Sequence, residues 1–206
     1  MSSISSFNNK DVTLESVETI FNGFFKIQLY QFRHALFAGG MSQTISREIL
    51  ERGHAVAVLP YDPVTDSILL IEQIRIGAMA SKSSPWLLEC IAGMAEGSKQ
   101  YEEVARKEAL EEAGLELKDL HYMTSYLSSP GGTTERLYLY LAKADLSNAG
   151  GIYGLESEGE DIKSHVIPYA KAIDLLQSGE IDNAATVISL QWLALNKDKV
   201  LAQWVK

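Results

Sequence analysis

The stretch SILLIEQI, residues 67–74, constrains the fold more than any other segment. It falls far short of the ~18 apolar residues that a membrane span needs, and it is too apolar for a solvated surface. It reads as a buried strand, which needs further layers of structure packed against it. HAVAVLPYD (54–62) precedes it across an Asp-Pro turn, and WLLECIAG (86–93) follows. The 206 residues are 46% hydrophobic and 22% charged, so the core is ample. That length implies one domain with an appendage, or two small domains.

Residues 1–12 are Ser/Asn-rich and read as a loose terminus. VETIFNG, FFKIQLYQFRH and MSQTISREILERG follow, with turn signals at Asn22-Gly23 and Gly39-Gly40, and predict a small antiparallel sheet. A helix is expected from about Gln100 to Ala113, with Val104, Ala105, Ala109 and Leu110 to bury and Gly114 as its stop. Strands resume with LHYMTSYLS and ERLYLYLA around the loop SPGGTTE, and the acidic GGIYGLESEGEDIK leads into SHVIP. Two helices close the chain. One spans Tyr169–Gln177 and is stopped by Gly179; the other runs from about Asn183 into the 190s, capped by Asp182 or Asn183. The pattern predicts an α/β sandwich, residues 54–206, behind an N-terminal β domain, residues 1–53.

A net charge of −9 argues against a nucleic-acid-binding surface. One cysteine, Cys90, excludes an internal disulfide and fits a reducing compartment. MSSISSFNNK carries no apolar run behind a basic segment, so no secretory signal is expected. Cytoplasmic residence without a membrane partner is the simplest expectation. Of six arginines, Arg33, Arg47, Arg52 and Arg75 lie in the first 75 residues. That concentration suits a small anionic ligand, since the guanidinium fork matches phosphate oxygens; scattered surface salt bridges are the alternative.

KEALEEAGLEL, residues 107–117, sets Glu108, Glu111 and Glu112 on one face at the C-terminal end of the expected helix. The macrodipole there favours cations, so acids are misplaced. Each like-charge pair costs only ~0.2–0.5 kcal/mol on an exposed helix, so a solvated face stays open as a reading. A divalent cation would turn the cost into a gain. Cys90 and the four histidines show no spacing for a nucleophile or a zinc site.

AGMAEGSKQYEEVARKEALEEAGLEL, residues 92–117, resembles the Nudix box, G-x5-E-x7-R-E-U-x-E-E-x-G-U with U aliphatic. Gly93, Glu108, Ala109, Glu111, Glu112, Gly114 and Leu115 match; Lys99 and Lys107 replace the first Glu and the Arg. SREILERGHAVAVLPYDP, LLIEQIR, PWLLECIAGM, LSSPGGTTER, ESEGEDI and IDNAATVISLQWL extend the likeness, from Phe21 to Trp192, to bacterial ADP-ribose pyrophosphatases. The resemblance implies a Nudix αβα sandwich with a mixed sheet, preceded by a small N-terminal antiparallel β domain that is swapped in a homodimer with shared active sites. It also implies Mg²⁺-dependent hydrolysis of a nucleotide sugar, ADP-ribose, to AMP and ribose 5-phosphate, with Mn²⁺ as a possible substitute.

Carried onto this chain, the resemblance gives Glu108, Glu112, Glu160 and the Ala92 carbonyl as metal ligands. Glu111 ligates or orients, and Glu158 is the general base on a mobile loop. Arg47, Arg52 and Arg75 clamp phosphate and ribose, with Arg47 or Arg52 and Phe24 supplied by the partner subunit. Phe24 stacks on adenine, or else packs in the N-terminal sheet. Ser129 and Glu135 bracket the SPGGTTE loop, and Glu135 accepts from the terminal ribose hydroxyls. Lys107 keeps the charge of the box Arg without its fork, Arg106 is an imperfect substitute, and Glu96, Glu102 or Glu103 could stand in at Lys99. The rival readings are another nucleotide sugar such as GDP-mannose, or a weakened Nudix domain that senses a nucleotide.

Overall fold

The computed structural model describes residue 4 and residues 6–204, which form two compact units. The first holds the described residues up to Gly53 together with Leu127–Glu135; the second holds His54–Tyr126 and the described residues from Arg136 onward.

In the first unit, β1 (Val12–Asn22), β2 (Lys26–His34) and β3 (Ile45–Glu51) make an antiparallel sheet in that order. Gly23 closes the first turn, as Asn22-Gly23 signalled. The loose terminus expected for residues 1–12 does not extend to its end. Residues Asn9–Asp11 form a 3₁₀ turn capped by the Asn8 side chain, and β1 begins at Val12; residues 1–3 and 5 lie outside the described residues. SPGGTTE joins this unit through Leu50 and Glu51, far upstream. Leu50 N–H donates to the Gly132 carbonyl (2.8 Å), Thr133 Oγ1 donates to the Leu50 carbonyl (2.8 Å), and Thr134 Oγ1 donates to Glu51 (2.6 Å).

In the second unit, β4 (Ala55–Asp62), β5 (Ser67–Ile74), β8 (Asp119–Leu127), β9 (Arg136–Lys143), β10 (Gly151–Tyr153) and β11 (Ile162–Pro168) lie in the order β10-β11-β5-β4-β9-β8. β4 and β9 run parallel, Ala55 opposite Leu137, while β4–β5 and β5–β11 are antiparallel, so the sheet is mixed. Successive strand residues point to opposite faces. Ala57, Leu59 and Tyr61 pack with Leu175 of α2 (Tyr169–Gln177) and with Leu190, Leu193 and Val200 of α3 (Ala184–Trp204). Val56 and Val58 pack on the other face with Ala105, Ala109 and Ala113 of α1 (Tyr101–Ala113). Both faces are therefore covered, which gives the expected αβα sandwich and explains why β4 is buried at every residue.

One irregularity positions the site. β4 and β5 pair only at Tyr61–Ile68 and Asp62–Ser67, then part. β6 (Trp86–Glu89) pairs beside β5, and β7 (Ile91–Met94) beside β4. The crossing falls at Cys90, whose buried N–H donates to Thr186 Oγ1 of α3 (2.8 Å). β7 then carries Ala92 and Gly93 under α1. Gly114, at φ +63°, ends α1 as expected, and Asn183 caps α3 by accepting the Thr186 N–H (3.1 Å). α3 outruns the expected 190s because Val200 is still buried against the sheet.

Thr186→Val keeps the volume but leaves the Cys90 N–H without its partner. A buried donor left unpaired costs ~1–3 kcal/mol, and each kcal/mol lowers Tm by roughly 2–4 °C in a domain of this size. Thermal unfolding should show that fall; an unchanged Tm would mean the crossing is held by other contacts.

Candidate active site

α1 brings its acids to β7 at short range. The Glu112 carboxylate is buried, and its Oε2 accepts the Ala92 N–H at 3.0 Å. A Cβ at Gly93 would overlap the Glu108 carboxyl group, so the residue there must be glycine for Glu108 to lie where it does. Glu160 enters from the segment before β11, where its Oε2 accepts the Leu155 N–H at 3.1 Å. Burial pushes the Glu112 carboxyl up to about 8; the Ala92 N–H and Arg75 relieve it, while the charges of Glu108 and Glu160 add to the rise. Glu108 is raised by burial and by Glu111 and Glu160, against the pull of Lys107.

Among the described residues, no three His, Cys, Asp or Glu side chains converge as a ready-made metal cage. The carboxylates turn to donors of the protein instead: Glu112 to Ala92, Glu160 to Leu155 and Glu108 towards Lys107, 3.6 Å away. The donor set nevertheless fits a hard divalent cation. It is all oxygen, partly stripped of water and mutually repulsive, and those conditions favour Mg²⁺-like ions.

The two departures from the box resolve differently. Lys107 pairs with Glu111 at 3.2 Å as well as with Glu108, so it spans two of the three acids at the C-terminal end of α1. Arg106 is no substitute: its guanidinium donates to the carbonyls of Leu117 and Lys118 and so ties down the turn after the helix. Of the candidates to stand in at Lys99, Glu96 acts on Lys107, while Glu102 acts on Tyr140. Glu158 is exposed on a 3₁₀ turn, Glu156–Glu158, ended by Gly159 at φ +70°. In the segment expected to be a mobile loop, the Glu158 N–H donates to the Leu155 carbonyl at 2.9 Å.

Arg75 donates from Nε to Glu89 at 2.8 Å, and its charge reaches Glu112. Sequence reasoning missed Glu89. Its signal was a lone acid inside the apolar strand WLLECIAG; burial raises its carboxyl, and Arg75 relieves it. In the first unit Arg52 Nε lies 3.1 Å from Glu135 Oε1, but its buried N–H is poorly aligned and makes no hydrogen bond. The Arg52 guanidinium also stands 5.4 Å from the Phe25 ring centroid. Arg47 is exposed on β3 and donates to the Ser46 carbonyl. Phe24 is 88% exposed in the β1–β2 turn, which rules out core packing within the unit. Ser129 is exposed and turns the SPGGTTE loop through its carbonyl, which accepts from Gly132 and Thr133 (both 2.9 Å).

Residues 51–196 match the NUDIX domain family. The chain belongs to that family. This NUDIX chain is 49% identical over 198 residues to the ADP-ribose pyrophosphatase of Escherichia coli K12, covering 96% of this chain and 95% of that protein. It is 45% identical over 207 residues to the ADP-ribose pyrophosphatase of Haemophilus influenzae, covering 99% and 95%. A GDP-mannose pyrophosphatase of Escherichia coli O1:K1 is 32% identical over 154 residues, 73% of this chain and 78% of that one. The crystal structure of an ADP compounds hydrolase shares the fold, with a TM-score of 0.70 at 21% identity over 94% of this chain and 98% of that one.

Because the Glu112 carboxyl is raised above its ordinary value of 4.5, the folded protein binds the proton more tightly than the unfolded chain. Stability of the metal-free protein should therefore fall as pH rises from about 4.5 through about 8. Glu112→Gln should shrink that fall, leaving the part due to Glu108 and Glu89, and make the variant the more stable at the alkaline end. Denaturant unfolding in chelator across this window checks it, and a constant difference between the two proteins would contradict it.

Proposed function

We propose that this NUDIX chain hydrolyses the pyrophosphate bond of ADP-ribose, and of related ADP-sugars, to AMP and ribose 5-phosphate, with Mg²⁺ as cofactor and Mn²⁺ as substitute. The observation that carries the reading is Glu112, a buried carboxylate anchored on Ala92 and crowded by Glu108 and Glu160. Without a cation such a group is a liability. The ADP-sugar substrate is supported by the two ADP-ribose pyrophosphatases that share 49% and 45% of their residues over nearly the whole chain. GDP-mannose has weaker support, 32% over 73% of the chain.

In this reading Glu108, Glu112, Glu160 and the Ala92 carbonyl hold the cation, which when bound neutralises pyrophosphate charge and acidifies water. Glu158 accepts the proton of the attacking water. The water oxygen bonds to one phosphorus, the P–O bond to the bridging oxygen breaks, and the second phosphate leaves with that oxygen. Arg75 grips phosphate oxygens from its post on Glu89. Glu111, paired with Lys107, borders the cluster and orients it. Arg47 or Arg52, together with Phe24, serves the site of a second copy in a homodimer, while Ser129 and Glu135 bind substrate, Glu135 by accepting from the terminal ribose hydroxyls. The support is β1, exposed at every residue, with Leu14, Ile20 and Phe21 bare, and Phe24 bare in the turn that follows. Residence in the cytoplasm, with no nucleic-acid partner, is supported by the lone buried Cys90 and the net charge of −9.

A Mg²⁺-dependent assay over a panel of nucleotide sugars, read for both products, tests the substrate; faster turnover of GDP-mannose would replace ADP-ribose. Glu158→Gln should lower kcat by ~10²–10⁴-fold with little change in ADP-ribose affinity, while Arg47→Ala should mainly weaken binding. Mixing the two variants should restore activity in heterodimers. If mass spectrometry shows subunit exchange and no activity returns, Arg47 acts within its own subunit.

A further inference from the structure

One aromatic ring fastens the acid-bearing segment, residues 150–160, to the end of α1. Tyr153 lies directly over Gly114: a Cβ there would be 2.7 Å from Tyr153 Cε1 and 3.0 Å from its hydroxyl oxygen. The next residue, Gly154, donates its N–H to the Glu111 carbonyl (3.3 Å), one of those a helix end leaves unpaired. A Cβ on Gly154 would in turn lie 2.8 Å from Glu160 Cβ. Contacts thus run without a gap from Gly114 through Tyr153 and Gly154 to Glu160. The ring edge and the hydroxyl oxygen both lie against Gly114, but the hydroxyl's hydrogen bond runs to the Gly150 carbonyl at 3.4 Å, so the contact with α1 is one of packing. Gly150, Gly151 and Gly154 all hold positive φ, so this stretch of backbone has wide intrinsic freedom and needs a fastening to present an acid in one place.

We propose that Tyr153 is a positioning residue for the carboxylates: its ring, seated on Gly114, holds the segment that carries Glu160 against the end of α1, the helix that bears Glu108 and Glu112. The fields of Glu160 at both acids agree with that placement. The inference rests on the reading of Glu160 as a cation ligand.

The test is Mn²⁺ binding to the substrate-free protein by titration calorimetry, with thermal unfolding alongside. Tyr153→Ala should weaken Mn²⁺ affinity by ~10–100-fold, the range for residues that orient ligands, while KM for ADP-ribose at saturating metal stays near wild type. Tyr153→Phe, which keeps the ring, should restore the affinity. A folded Tyr153→Ala protein with wild-type Mn²⁺ affinity would overturn the proposal. If that variant melts, Tyr153→Leu supplies apolar bulk without the flat ring, and wild-type affinity there overturns it equally. Glu160→Gln separates the two levels. If it binds Mn²⁺ normally, the reading of Glu160 fails and this inference with it. If it binds poorly while the Tyr153 variants bind normally, only the positioning role fails.

Discussion

The close approach of α1 to β7 is the constraint on which the rest of the site depends. Gly93 leaves room for the Glu108 carboxyl group, and the Ala92 N–H fixes Glu112 one helical turn later. The approach is possible because the buried face of α1 is built from Ala105, Ala109 and Ala113. It also needs the chain to cross from β5, where β6 pairs, to β4, where β7 pairs, which the Cys90–Thr186 hydrogen bond secures from the far side of the sheet. The sandwich thus spends part of its regularity, the parting of β4 and β5, on delivering two backbone positions to one helix face.

Electrostatics then explain why the cluster is poised for a cation. Burial dominates at Glu112 and Glu108, and neighbouring acids compound it. The protein's own cations answer only in part. Lys107 is well exposed, so its pairs with Glu108 and Glu111 are screened by water and weak. Arg75 is shared with Glu89, a third acid raised by burial. A divalent ion supplies more charge than either, without a side chain to immobilise.

The layers, the bounds of α1 and α2 and the α1 acids were legible in the sequence because local periodicity and turn chemistry decide them. Gly114 and Gly179 end their helices where a left-handed residue is needed, and the apolar run in SILLIEQI needs cover on both faces. Other features depended on distant partners. SPGGTTE reads as a local loop, yet its hydrogen bonds run to Leu50 and Glu51. Arg106 stood beside the box as a candidate cation, but carbonyls eleven and twelve residues on claim it. Arg52 and Glu135, expected to grip separate parts of a ligand, lie against each other. Glu89 was visible as an acid in an apolar run, whereas its pairing with Arg75 follows from the β5–β6 register, which no single strand displays.

On these grounds the α1–β7 seam is the expected seat of a divalent cation. Anomalous diffraction from crystals soaked in Mn²⁺ and a non-hydrolysable ADP-ribose analogue tests it most directly. The account predicts a manganese peak within ligating distance of Glu108, Glu112 and the Ala92 carbonyl, adjoining the pyrophosphate of the analogue. A peak elsewhere, or an ordered analogue beside a metal-free seam, would contradict it.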